Sequence, residues 1–151
     1  MLNKSADILP AYGLGGISLG KRITEYSDLL ERYDVAGKLS YEQISIYSTR
    51  YSFENTPIEI DVDTRIGVIY KVSALEGYYG SLLGQIKIGS PANEILSMGR
   101  GFYYDECDEA ILSKEIPGVA IELNEDDPLP NEIKSLFVKY ISVFLPEVFK
   151  P

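Results

Sequence analysis

Apolar positions recur along this chain with two periods, and the changes between them mark its elements. After a Gly-rich stretch from Tyr12 to Gly20, Ile17-Ser18-Leu19 alternates and predicts a short strand. Ile23, Tyr26, Leu29, Leu30 and Tyr33 then fall at spacings of three and four, one face of an α-helix. Asp34 to Ser40 break that helix, with Gly37 as the turn. Residues 41 to 53 are β-branched and aromatic and predict extended chain. Ile58, Ile60 and Val62 alternate with Glu59 and Asp61, a half-buried strand with its acidic face in water. A short turn at Asp63-Thr64 leads to Ile66, Val68, Tyr70 and Val72, which complete a hairpin.

The second half repeats part of this order. Leu14-Gly15-Gly16-Ile17-Ser18-Leu19-Gly20 aligns with Leu83-Gly84-Gln85-Ile86-Lys87-Ile88-Gly89, and at the same offset Glu25 meets Glu94. Ile86 to Ile88 accordingly predicts another short strand. Ser90-Pro91 predicts a helix start, with Ser as cap and Pro in the first turn, running through Ile95, Leu96 and Met98 to Gly99. Gly101 to Tyr104, Glu109 to Ser113 and Val119 to Leu123 predict strands. Ile133, Leu136, Phe137, Tyr140, Ile141 and Phe144 stand at helical spacing after Pro130-Asn131-Glu132, so a C-terminal helix is expected over about residues 130–145. The expectation is an α+β fold: a mainly antiparallel sheet with two or three helices packed on it. Residues 1–151 are expected to form a single domain, with half-repeats at about 13–75 and 82–123.

A chain of 151 residues with 45% hydrophobic and 25% charged residues can bury a core without a metal or disulfide. The single cysteine, Cys107, forbids an internal disulfide, and Met1 to Pro10 carry no apolar run of signal-peptide length, so a cytoplasmic location is expected. No stretch reaches the length of a membrane span, and no membrane contact is expected. The net charge of −9 argues against direct nucleic-acid binding. It is concentrated: residues 101 to 132 hold 10 acidic side chains and one basic, Lys114. An acidic surface steers basic partners, and it also keeps any protein soluble.

The candidate chemistry is narrow. With no histidine in the chain, Ser-His-Asp and Cys-His catalysis and most zinc sites are removed. The glycines near 13 to 16 precede a strand, and Gly20 and Gly89 lack the Lys-Ser/Thr of a phosphate loop. Asp105, Glu106, Asp108 and Glu109 could hold a cation, but they lack the spacing and turn glycine of an EF-hand loop. Cys107 sits among carboxylates that disfavour its thiolate. No catalytic residue, metal or cofactor is expected. Tyr78-Tyr79 and Tyr103-Tyr104 are adjacent pairs, so in a strand one ring of each goes to each face. Tyrosine beside carboxylates suits a protein interface. Tyr103, Tyr104, Asp105, Glu106, Asp108 and Glu109 form one candidate binding patch, and Glu125, Asp126 and Asp127 a second, in an acidic loop before Pro128 and Pro130.

The run Phe102-Tyr103-Tyr104-Asp105-Glu106, with Ala110-Ile111-Leu112 and Ile116-Pro117-Gly118-Val119-Ala120-Ile121-Glu122, resembles immunity proteins of bacterial polymorphic and contact-dependent growth inhibition toxin systems. The Gly15-x-Ile17-x-Leu19-Gly20 unit and its recurrence from Gly84 resemble the repeated α+β units of β-lactamase-inhibitor-like and outer-membrane assembly lipoprotein folds. The resemblance implies a protein that binds and blocks a cognate toxin domain, a basic RNase or DNase, with the acidic patches facing its phosphate-binding Lys and Arg. A non-enzymatic adaptor or secretion chaperone, and a carboxylate-based hydrolase, are the competing readings.

Overall fold

The computed structural model describes residues 1–146. Its centre is one antiparallel sheet of eight strands in the order β3-β4-β5-β6-β10-β9-β8-β7. The first half contributes β3 (Leu39–Ser45), β4 (Ser48–Phe53), β5 (Thr56–Asp63) and β6 (Val68–Ala74). The second contributes β7 (Phe102–Asp105), β8 (Ala110–Ser113), β9 (Val119–Leu123) and β10 (Val138–Phe144). A two-stranded hairpin of β1 (Gly13–Leu14) and β2 (Ile17–Ser18) lies outside this sheet. Helix α1 (Ser27–Val35) follows a 3-10 turn at Ile23–Tyr26, and α2 (Ala92–Leu96) is a single short helix.

Alternation decides which side chains enter the core. Ile58, Ile60 and Val62 of β5, Ile121 of β9 and Ile141 of β10 meet Ile8, Ile17, Leu82, Ile86 and Ile95 from the segments that cover one sheet face. Leu29 of α1 is buried there, and the ring of Tyr33 stands edge-on to Phe53 at 4.9 Å. Tyr78 ties the N-terminal segment down. Its hydroxyl donates to the Ala6 carbonyl at 2.6 Å and accepts from the Gly15 amide at 3.0 Å.

The two halves are arranged about a local two-fold axis. Each is a four-strand meander, and their last strands, β6 and β10, pair antiparallel at the centre of the sheet. Ser73 faces Ser142, 69 residues on, and the two hydroxyls share a 2.8 Å hydrogen bond. The same offset relates backbone bonds on either side. Gly20 N donates to Ile69 O (2.9 Å) as Gly89 N does to Val138 O (2.8 Å), and Ile69 N donates to Lys21 O (2.9 Å) as Val138 N does to Ser90 O (2.8 Å). Gly20 and Gly89 have φ of 83° and 90°, the left-handed conformation that favours glycine. The correspondence therefore continues through β10, beyond the expected limit at residue 123.

Four expectations are corrected. The helix expected over about 130–145 is a 3-10 turn at Ile133–Ser135 followed by β10. Val138, Ile141 and Val143 are β-branched, and β10 supplies the backbone partners that β6 and β9 require. Instead of two or three helices, there is one substantial helix among the described residues, α1. Ile86 to Ile88 is no strand; Ile86 makes a single bridge to Leu82. Ser90 does not cap α2: Pro91 holds the N-cap position, and the Ser90 hydroxyl accepts from the Lys87 amide at 2.9 Å.

Candidate functional site

The acidic residues of the first patch occupy the turn between β7 and β8. Their second group follows β9. Strand register decides whether the two meet. Tyr104 pairs with Ile111, Asp105 with Ala110, and Ile111 with Ile121. The turn at 106–109 therefore lies beside the end of β9, at Leu123, from which the loop carrying Glu125, Asp126 and Asp127 departs. Glu106, Asp108, Glu109, Glu125, Asp126 and Asp127 are all exposed, and Asp105 is half-buried. Inside the turn, Asp105 accepts a 2.8 Å hydrogen bond from the Asp108 amide.

The tyrosines divide as strand alternation requires. Tyr104 packs against the core, while the Lys114 ammonium lies 5.5 Å from the Tyr103 ring centre. Burial pushes the Tyr104 hydroxyl above the ordinary phenol value, and Glu109, Asp127, Glu106 and Asp105 push it further. Carboxylates of both segments thus act on one hydroxyl. Tyr78 is buried and Tyr79 exposed, but neither lies in a strand. Cys107 is exposed in the acidic turn, and among the described residues no group of three or more His, Cys, Asp or Glu is placed to hold a metal ion.

The sheet face opposite the covering segments carries a second polar feature. A trough of about 680 Å³ crosses it from Ile44 and Ser45 at the end of β3 to Asp108 beside β8. Its floor includes Asp61, which the sequence pattern placed in water and the structure buries to 2% exposure. The correction has a partner: Arg50, opposite Asp61 in the register, donates from Nε at 2.8 Å and from Nη2 at 3.1 Å. This two-pronged bond holds the Arg50 guanidinium more firmly protonated than usual. Asp63, expected in a turn, ends β5 and is also buried, and Arg65 holds its carboxyl below the usual range through bonds of 2.9 and 3.1 Å. Ser48 and Tyr70 share a buried hydroxyl–hydroxyl bond. No buried side-chain polar atom lacks a partner among the described residues. The signal in the sequence was the polar spacing Glu59, Asp61, Lys71 and Ser73 opposite Arg50, which is indistinguishable from a solvated face until the strands are paired.

Among the described residues, no helix is long and apolar enough to cross a membrane. No protein-family model matches the chain, and no curated protein sequence matches it. Solved structures are similar to it. The uncharacterized protein yfeY from Escherichia coli superposes with a TM-score of 0.59 at 15% identity, over 90% of this chain and 98% of that one. A cysteine-rich secretory protein (SAV1118) from Staphylococcus aureus gives a TM-score of 0.46 at 17% identity, over 94% of this chain and 49% of that one. The first likeness is one of fold.

Proposed function

We propose that this chain is a non-catalytic binding protein whose acidic end docks a basic protein surface, and that its partner is a cognate toxin domain of nuclease type met in the cytosol. The observation that carries this reading is the convergence of two acidic segments, 105–109 and 125–127, which the register of β7, β8 and β9 sets side by side. Carboxylates from both act on Tyr104, and Tyr103 lies on the opposite face of β7. Clustered exposed charge speeds the encounter with a basic surface, and aromatic contacts slow its release. The partner's Lys and Arg are those that hold nucleic-acid phosphates, so docking occludes them. The identity of the partner as a toxin comes from the resemblance of residues 102–122 to immunity proteins.

The test is affinity capture of the tagged protein from the bacterium that produces it, with the captured protein identified and then purified. A basic toxin fragment in near-equal amount supports the reading. Reversing Glu106, Glu125 and Asp126 to Lys should then slow association by about tenfold or more while dissociation changes little. Unchanged association in that variant rules out the acidic docking surface. Capture of an acidic partner, or turnover of a substrate by the purified chain, rules out the reading as a whole.

A further inference from the structure

The eight-stranded sheet ends in two unlike edges. β7 is short, ends in Asp105 and runs into the acidic turn, features that keep other chains off a strand edge. β3 is seven residues long, has no proline or lysine and carries one charge, Glu42. Among the described residues it pairs with β4 on one side and with no strand on the other. Strand alternation fixes which backbone groups are left over. The Glu54 amide donates to the Lys38 carbonyl at 2.8 Å, so Lys38, Ser40 and Glu42 turn their backbone groups toward β4. Leu39, Tyr41 and Gln43 turn theirs outward, and no other backbone group among the described residues takes them up. The side chains along this edge are open and apolar: Tyr41 is 69% exposed, and Ile44, Ile46 and Tyr47 are exposed too. The Tyr41 ring lies 6.0 Å from that of Tyr51, which packs against the core.

We propose that β3 pairs antiparallel with β3 of a second copy of this chain, about a two-fold axis at Tyr41, so that two sheets become one. Centring on Tyr41 uses all three outward residues. Tyr41 meets Tyr41 of the second copy, Leu39 meets its Gln43, and each exchanges both backbone bonds. An axis at Glu42 would set two carboxylates opposite each other, and one at Ser40 would bring Gln43 onto Gly37, in the turn after α1. At the Tyr41 register the row of Ile60, Tyr51 and Tyr41 continues across the junction into the same row of the second copy. Lys38 then stands diagonal to Glu42 of the second copy, opposite charges within side-chain reach. The occupant is a second copy because one edge supplies both halves of this pattern. Net charge does not oppose it. Residues 101 to 132, with 10 acidic side chains and one basic, lie toward the far edge of the sheet. At ~4.8 Å per strand the acidic ends of two copies stand on the order of 50 Å apart, well past the Debye length of about 8 Å. Both acidic docking surfaces stay open in such a dimer, so the inference does not depend on the proposed function.

The test is sedimentation equilibrium of the purified full chain, with no other protein present, between about 5 and 500 μM. One strand junction is a small interface, so the mass should rise from 16.8 kDa to twice that value with a midpoint of about 100 μM. Tyr41→Lys sets two ammonium groups on the axis and should weaken the dimer by about tenfold or more. Because Tyr41 is exposed, the variant should unfold in urea as the wild type does. Disulfide trapping reads the register. In a Cys107→Ser background, Tyr41→Cys should form an intermolecular disulfide under oxidised glutathione. Glu42→Cys should not, because the register holds it too far from its counterpart. A monomer at every concentration overturns the proposal and leaves the acidic docking surface standing. A dimer that Tyr41→Lys leaves intact, or trapping at Glu42→Cys as fast as at Tyr41→Cys, overturns it as well.

Discussion

Asp61 and Arg50 show how a single side chain changes meaning once strands pair. A carboxylate buried to 2% exposure is tolerated only because a guanidinium, itself 29% exposed, meets both of its oxygens. Arg50→Ala leaves that charge buried and unpaired, and should cost about 3 kcal/mol in urea unfolding. Replacing both residues by apolar side chains of similar volume should recover most of the loss. Tyr104 reports on its surroundings in a different way. Its hydroxyl ionises above the ordinary value of about 10 because burial and four carboxylates disfavour the phenolate. The folded value being the higher one, this contribution to stability is present below about pH 10 and is lost as pH rises through the folded value. In a Glu109→Gln, Asp127→Asn variant the Tyr104 ring-carbon NMR titration should move to lower pH. An unmoved midpoint would mean that the two acidic segments do not share its neighbourhood.

At the level of elements, the junction of β6 and β10 holds the two meanders together, and Ser73 and Ser142 sit on its axis. Both hydroxyls are buried. Replacing one by Ala strands the other, at about 1–2 kcal/mol. Replacing both should cost no more than the worse single change, so a double-mutant cycle should give a coupling of about 1 kcal/mol. The β5–β6 hairpin, β7, β8 and β9 were legible because each alternates or is bounded by clear turns. β10 was not, although Val138 to Val143 aligns with Ile69 to Ala74 at the offset already evident between Gly20 and Gly89. Apolar residues at 133, 136, 137, 140, 141 and 144 satisfy a helical period, while 138, 141 and 143 enter the core of a bulged strand. A short apolar run meets both descriptions, and the unpaired edges of β6 and β9 decide between them.

Across the whole molecule, charge and sheet geometry act together. The net −9 lies in residues 101 to 132, and the fold gathers it on the β7–β9 side of the sheet, remote from the β3 edge. Association with a basic partner should therefore slow steeply with salt, by about tenfold or more between 50 and 500 mM, while dissociation stays nearly constant. A salt-independent association rate, measured by stopped flow with the captured partner, would remove the electrostatic part of the mechanism. The likeness to yfeY spans nearly both chains and indicates that this sheet with its covering segments is an arrangement other sequences also adopt.

By itself, the sequence determined the mainly antiparallel α+β character, the internal correspondence at its glycines, the exposure of the acidic turn and loop, and the absence of histidine chemistry. These are local properties, set by alternation, turn residues and composition. Only the tertiary structure decided that the last element is a strand, that the acidic segments adjoin, and that Asp61 lies buried against Arg50 in a trough. Each of those depends on which strands become neighbours and in what register, and pairing across dozens of residues leaves no local mark on the chain.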